Sequence, residues 1–221
     1  GGLTLGKMIK RLLNLVPQLP RLRLSSIDVA EIDEDLIELI KFEPRLMPYL
    51  HISLQSGDDI ILKRMKRRHN RAQVIEFCQD IQASRNNVAF GSDIIAGFPT
   101  EDDEMFLNSL NLIKEANLVF NHIFTYSTRE GTPAAKMPQV DNKIKKQRTN
   151  LLRKQSQKNL NGFLKSLVKT KQNIIVENNN IGRMENFATT KLQGNVDKLK
   201  AGDLIEVTID QFENNQLITN L

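Results

Sequence analysis

Four short apolar runs, at 22–27, 49–54, 88–96 and 118–126, recur at intervals of roughly 30 residues, and a longer amphipathic stretch separates each from the next. No other feature constrains the fold so tightly. Period-2 runs alternating with helical stretches predict βαβ units and a parallel sheet. The run 88–96 is largely apolar, as expected of a strand covered on both faces. Apolar residues spaced by three and four predict helices over 5–15, 31–42, 70–84 and 101–115. In the first of these, Leu5, Met8, Ile9, Leu12, Leu13 and Val16 share a stripe. Asp28 is a candidate cap for the second and Thr100 for the fourth. A helix normally follows a strand in such a series, so the leading helix predicts at least one strand upstream.

The second half has a different rhythm. A loop with Gly131, Pro133 and Pro138 fills 127–139, and a long basic helix is predicted over 142–169. Beyond it, 173–177, 188–192, 204–209 and 216–220 alternate like strands, between turns at Gly182, Gly194, Gly202 and Asn-rich stretches. This predicts a small all-β unit of about 50 residues, a partly open barrel. The chain divides on this reading into 1–140, a connecting helix at 141–162, and 163–221.

Composition narrows the function classes. Hydrophobic residues reach 40% without any Trp, so aliphatic side chains fill the core. No apolar run approaches the roughly 20 residues that span a bilayer. Cys78 is the only cysteine, which excludes a disulfide framework and a cluster of thiolates, and makes a reducing, cytoplasmic setting the default. Three scattered His give no metal-ligand spacing. Cys78 shares a helical face with Val74, Ile75 and Ile81 and is expected in the core.

The net charge is +5, but it is unevenly placed. Residues 141–171 hold ten Lys or Arg against one acid, and 63–71 hold six with none. Such runs attract polyphosphate, and the alternative is a solvated helix face. The candidate RNA-binding residues are Lys63, Arg64, Arg67, Arg68 and Arg71, then Lys145, Lys146, Arg148, Arg153 and Lys154.

Sites in parallel α/β folds form at the C-terminal ends of strands. The four ends here are small and polar: Ser25, Ser26 and Asp28; Gln55 to Asp59; Ala96 to Glu101; and Tyr126 to Thr132. Each alone could be a turn and a helix cap; together they suit a polar ligand approached by backbone. His51 and His122 lie on strands and are read as structural.

Four motifs then carry a resemblance: RLRLSSIDVAEID (21–33), LHISLQSGDDIILKRMKRRHNR (50–71), FGSDIIAGFPTEDDEMF (90–106) and YSTREGTPAAKMPQV (126–140). They resemble the radical-SAM methylthiotransferases, most closely the branch that modifies N6-threonylcarbamoyladenosine at tRNA position 37. The tail from about Phe163 resembles a TRAM domain, an OB-like RNA-binding barrel. The resemblance implies an α/β fold made of the later strands of a partial TIM-like radical-SAM barrel, followed by that small barrel. It implies methylthiolation at C2 of the adenine, with S-adenosylmethionine and, in the full-length enzyme, [4Fe–4S] clusters whose cysteine ligands are missing here. Ser26, Gln55 and Ser56 match positions near the methionine and ribose of S-adenosylmethionine. Ile95, Gly97 and Tyr126 match positions flanking its adenine. Arg129 has no assigned role, and no catalytic residue is assigned. Thr125 and Thr128 stand where the family has proline. The implied partner is the tRNA anticodon loop, with a separately encoded N-terminal half as a further expectation. Alternatives are the same chemistry on isopentenyladenosine or on a ribosomal-protein aspartate, or an RNA-binding remnant without catalysis. The run 22–27 is expected to form a sheet edge.

Overall fold

A computed structural model describes residues 2–177 and 180–221. Helix α1 (Leu5–Leu15) leads into a short strand β1 (Ser26–Ile27), then α2 (Glu34–Phe42), β2 (Tyr49–Gln55), α3 (Asp59–Arg64), α4 (Arg71–Ser84), β3 (Ala89–Ala96), α5 (Asp103–Glu115) and β4 (Leu118–Thr125). The four strands form one parallel sheet in chain order. One face of it is packed: Leu50, Ile52, Leu54, Phe90, Ile94 and Ala96 form a single core with α2, α4 and α5 through Leu36, Leu39, Val74, Cys78, Ile81, Phe106 and Leu112. From Leu50 in β2 and from Ser92 in β3 the buried residues alternate, as the two-residue pleat requires.

Local chemistry explains the element ends and corrects several expectations. Asp33, not Asp28, caps α2, accepting from Leu36 N–H, while Asp28 caps a 3-10 turn at Val29–Glu31. Thr100 does not cap α5; its φ is +68° and Asp102 takes that place. Helix α3, which was not expected, lies within the motif 50–71; Asp58 caps it through Ile60 and Ile61 N–H. The strand expected over 22–27 shrinks to β1 and an isolated bridge from Leu22 to Leu46. It does lie at the sheet edge.

Helix α6 (Asn142–Ser166) packs against β4 and α5, then enters a second unit. Strands β5 (Lys171–Glu177), β6 (Ile181–Met184), β7 (Thr189–Gln193), β8 (Leu204–Thr208), β9 (Gln211–Glu213) and β10 (Gln216–Asn220) form one sheet in the order β8-β5-β6-β7-β10-β9. Only two residues join the edge strands β8 and β9, so the sheet must curl to bring its edges together. Two of these strands, β6 and β9, were not expected. Gly182, expected in a turn, sits within β6, where a Cβ would strike Ile174 of β5. Asn178 and Asn179, part of the expected Asn-rich turn, lie outside the described residues. The boundary expected at 162/163 falls inside α6, whose Leu164 belongs to the second core together with Leu167 just beyond the helix.

Candidate active site

The sheet's other face carries the polar and aromatic residues. Register places Ser26 beside His51, His51 beside Gly91, Gly91 beside Phe120, Asp93 beside His122 and Ile95 beside Phe124. Tyr49 Oη lies 3.1 Å from His51 Nδ1, and His51 Nε2 lies 3.2 Å from Asp93 Oδ1. A phenol O–H donating to Nδ1 and an Nε2–H donating to Asp93 satisfy both ring nitrogens. The His122 ring, exposed, stands 5.5 Å from that of His51. Burial pushes the Tyr49 phenol up to about 12, and the Asp93 charge adds to the shift. Together Arg23, Ser26, Tyr49, His51, Asp93, His122 and Phe187 line a hollow of about 430 Å³. Phe187, from the loop between β6 and β7, stacks on Tyr49 at 4.4 Å and 12°, and Arg23 donates to the Met184 and Glu185 carbonyls beside it. The second unit thus closes one end of the open face.

The strand ends form a rim at the other end. The β2–β3 register shifts between Ile52 and Gln55, and Gln55 adopts φ +72°, a conformation that costs about 1 kcal/mol or more outside glycine. Gly97, with φ +74°, donates its N–H to Glu101 Oε1 at 2.9 Å. Glu101 in turn pairs with Arg148 Nη1 at 2.9 Å, both side chains almost fully enclosed. A Cβ at Gly97 would collide with the Lys145 stem, so glycine lets α6 close onto the rim. Tyr126 N–H extends the ladder to the Ala96 carbonyl, and its ring meets Phe98 edge-on at 5.3 Å. Thr125 bonds Thr149 at 2.9 Å, tying β4 to α6.

The expected cofactor residues therefore separate. Ser26, Gln55, Ile95 and Tyr126 stand at the open face or its rim, with Gly97 in the loop just beyond β3. Ser56 does not: it is fully buried, its Oγ 3.3 Å from Ser109 Oγ and accepting from Asp58 N–H, which fixes the loop to α5. Phe124, 52% exposed beside Ile95, belongs to the same face and was missed. So were His51 and Asp93 as a pair. The alternation 120, 122, 124 and 91, 93, 95 is the signal that could have found them.

The expected RNA-binding residues separate too. Arg148 is buried and paired with Glu101 and Asp103. Arg67 binds Asp28 and the Ser53 carbonyl, Arg68 pairs with Glu31, Arg71 with Glu115, and Arg64 donates to Thr100. His69, 3% exposed, sits between Asp28 Oδ1 and the Leu54 carbonyl. These arginines of the run 63–71, on α3, on α4 and between the two, are thus engaged by neighbouring acids and carbonyls. Lys63, Lys146 and Lys154 are exposed and make no ion pair among the described residues, and Arg153 is exposed beside the Ile123 carbonyl. Lys145 is buried at the rim.

For an adenosyl ligand, the apolar strip of Ile95, Phe124 and Tyr126 beside Gln55 and Ser26 is a fitting surface. An iron–sulfur cluster finds no such fit. Cys78 faces the helix–sheet core, fully buried, and burial pushes its thiol up, opposite to what a thiolate ligand needs. No group of three or more His, Cys, Asp or Glu suited to a metal ion occurs among the described residues, and none of their helices is long and apolar enough to cross a membrane.

Comparison with known proteins agrees with this geometry. Residues 4–113 match the Radical SAM superfamily. The chain is 59% identical over 192 residues to the threonylcarbamoyladenosine tRNA methylthiotransferase MtaB of Rickettsia prowazekii, covering 87% of this chain and 46% of that protein. It is 36% identical over 223 residues to the tRNA-2-methylthio-N(6)-dimethylallyladenosine synthase of Ruthia magnifica, covering 95% and 49%. The chain spans about half the length of these relatives. Among solved structures, the radical SAM enzyme coproporphyrinogen III oxidase (HemN) of Escherichia coli shares the fold, with TM-score 0.50 at 16% identity over 73% of this chain and 37% of that one.

Proposed function

We propose, from the match of residues 4–113 to the Radical SAM superfamily, that this chain carries the S-adenosylmethionine-facing rim and an RNA-facing unit of a tRNA methylthiotransferase acting on threonylcarbamoyladenosine. The observation that carries the reading is the open sheet face, with polar and apolar side chains converging at four parallel strand ends. The relative at 59% identity is named for threonylcarbamoyladenosine, while relatives named for dimethylallyladenosine reach 32% to 38%, which favours the former base.

When bound, S-adenosylmethionine would supply the radical chemistry of the Radical SAM superfamily, with any iron–sulfur cluster held by residues other than those of this chain. This chain's own residues have other tasks. Ile95, Phe124 and Tyr126 offer apolar surface to an adenine ring, and Gln55 and Ser26 offer polar groups to the rest of the adenosyl ligand. The Arg148–Glu101 pair and the Gly97 N–H hold the rim loop rigid before any ligand arrives. The target base must leave its stack to reach such a face, which favours the single-stranded anticodon loop, position 37 included. The curled sheet β5–β10 serves as the TRAM domain, and Lys146, Lys154 and Arg153 neutralise phosphates.

Nucleoside mass spectrometry of bulk tRNA tests the reading. Cells lacking this gene are expected to retain threonylcarbamoyladenosine and lose its 2-methylthio form. An unchanged 2-methylthio level would overturn the proposal.

A further inference from the structure

Lys145 is a largely buried lysine that makes no ion pair among the described residues. It lies in the first turns of α6 and is 6% exposed. Acids on the neighbouring segments are already engaged: Glu101 and Asp103 with Arg148, and Asp58 with the α3 N–H groups and Asn108. No hydrogen bond or ion pair reaches its ammonium among the described residues; the Tyr126 ring, 5.2 Å away, is its one cation–π neighbour. The stem crosses Gly97, where any side chain would collide with it. That path delivers Nζ to the rim, over Tyr126.

The surroundings add to the positive field. The first turn of the 25-residue helix α6 contains no acid, and the Asp141 carboxylate caps only the Lys143 N–H. A lysine near a helix N-terminus is opposed by the macrodipole, and this ammonium has no counter-charge among the described residues. The same two features make a good anion site once an anion is present.

We propose that Lys145 is a specificity-determining residue that receives the free carboxylate of the threonylcarbamoyl group on the substrate base. This rests on the methylthiotransferase reading above. Threonine joined to adenine through its nitrogen leaves a carboxylate at the far end; a dimethylallyl group carries no charge. The carboxylate of S-adenosylmethionine is the poorer candidate, because the adenine end of that ligand is assigned to Ile95 and Tyr126 and its methionine end to Ser26 and Gln55. A phosphodiester flanked by two riboses suits a largely buried lysine less well than a small terminal group.

The test measures affinity of the chain for anticodon stem–loops bearing adenosine, threonylcarbamoyladenosine or dimethylallyladenosine at position 37, and separately for S-adenosylmethionine. The wild-type chain is expected to prefer the threonylcarbamoyl loop about tenfold, the scale of one charge-assisted hydrogen bond. Lys145→Met removes that preference, and Lys145→Arg keeps part of it. Thermal melts of both variants establish that they fold, and if Lys145→Met does not, loss of preference in Lys145→Gln carries the same test. Retained preference in a folded neutral variant overturns the inference, as does equal binding of all three loops by wild type. Equal weakening toward all three loops assigns Lys145 to a phosphate, and weakened S-adenosylmethionine affinity with preference intact assigns it to the cofactor; either result overturns the inference while leaving the functional reading standing. Absence of stem–loop binding by the wild-type chain overturns that reading itself, and this inference with it.

Discussion

A side chain added at Gly91 would collide with Tyr49 Oη and sit 2.8 Å from the Phe120 carbonyl oxygen. The pair Tyr49–His51 therefore exists only because residue 91, across the ladder, has no Cβ. Gly91→Ala is expected to lower stability by about 1–3 kcal/mol, read as a shift in the urea midpoint at constant slope. The phenol itself offers a pH test. The chain has two tyrosines, so Tyr126→Phe leaves Tyr49 as the only tyrosinate signal. That signal should rise near 12 in the folded protein, well above the usual 10. Between those values the unfolded chain has lost the proton and the folded one keeps it, so stability should fall as pH rises from 10 toward 12. A signal centred at 10 with the fold intact would remove the assigned burial. At this scale the sequence was least legible. Nothing in its spacing distinguishes Ser26, which faces the open side, from Ser56, which locks a loop to α5.

The element with the most to connect is α6. Its first turns hold the rim through Arg148 and Lys145, its middle meets β4 through Thr149 and Ser156, and its last turn enters the second core through Leu164. Asn159 bridges the Ile113 and Leu118 carbonyls, fixing the turn between α5 and β4. Removing Arg148 leaves the Glu101 carboxylate buried without its partner. Arg148→Ala is therefore expected to cost about 3 kcal/mol in chemical denaturation, whereas a phosphate-binding role would leave stability unchanged. The helix was predictable from its length and polarity. Its division of labour was not, because lysines and arginines at 145, 146, 148, 153 and 154 look alike until the neighbouring elements are in place.

Across the whole molecule, two packed units meet at a small aromatic joint. Phe187, held at φ +77°, stacks on Tyr49 and meets Phe120 edge-on, with Arg183 and Arg23 over its ring. Aromatic pairs of this kind contribute about 1 kcal/mol each beyond area. Phe187→Ala is expected to raise amide exchange roughly tenfold at 49–51 and 183–188, with strands β5, β7 and β10 still protected. Unchanged exchange at 49–51 would show that α6 alone holds the units together. The free charge is the second property of the whole. Replacing Lys146 and Lys154 by Gln should weaken tRNA binding uniformly and reduce the salt slope by roughly 1 to 2. Arg148→Ala should leave that slope unaltered, since its charge is already neutralised by Glu101 and Asp103.

The sequence by itself determined the frame: parallel strands alternating with helices, the change to a β-rich unit near 170, and Cys78 in the core; it did not show that one face of the sheet stays open, since 88–96 reads as a strand covered on both faces. Those features depend on periodicity and on local turn chemistry, which a single chain carries in its own spacing. The tertiary structure alone decided which charges are free. Arg67, Arg71 and Arg148 meet acids 39 to 47 positions away, and such pairings leave no trace in local pattern. The same holds for the site. His51 and Asp93 are brought together by register between β2 and β3, and Lys145 is led to the rim only because Gly97, on another element, leaves it room.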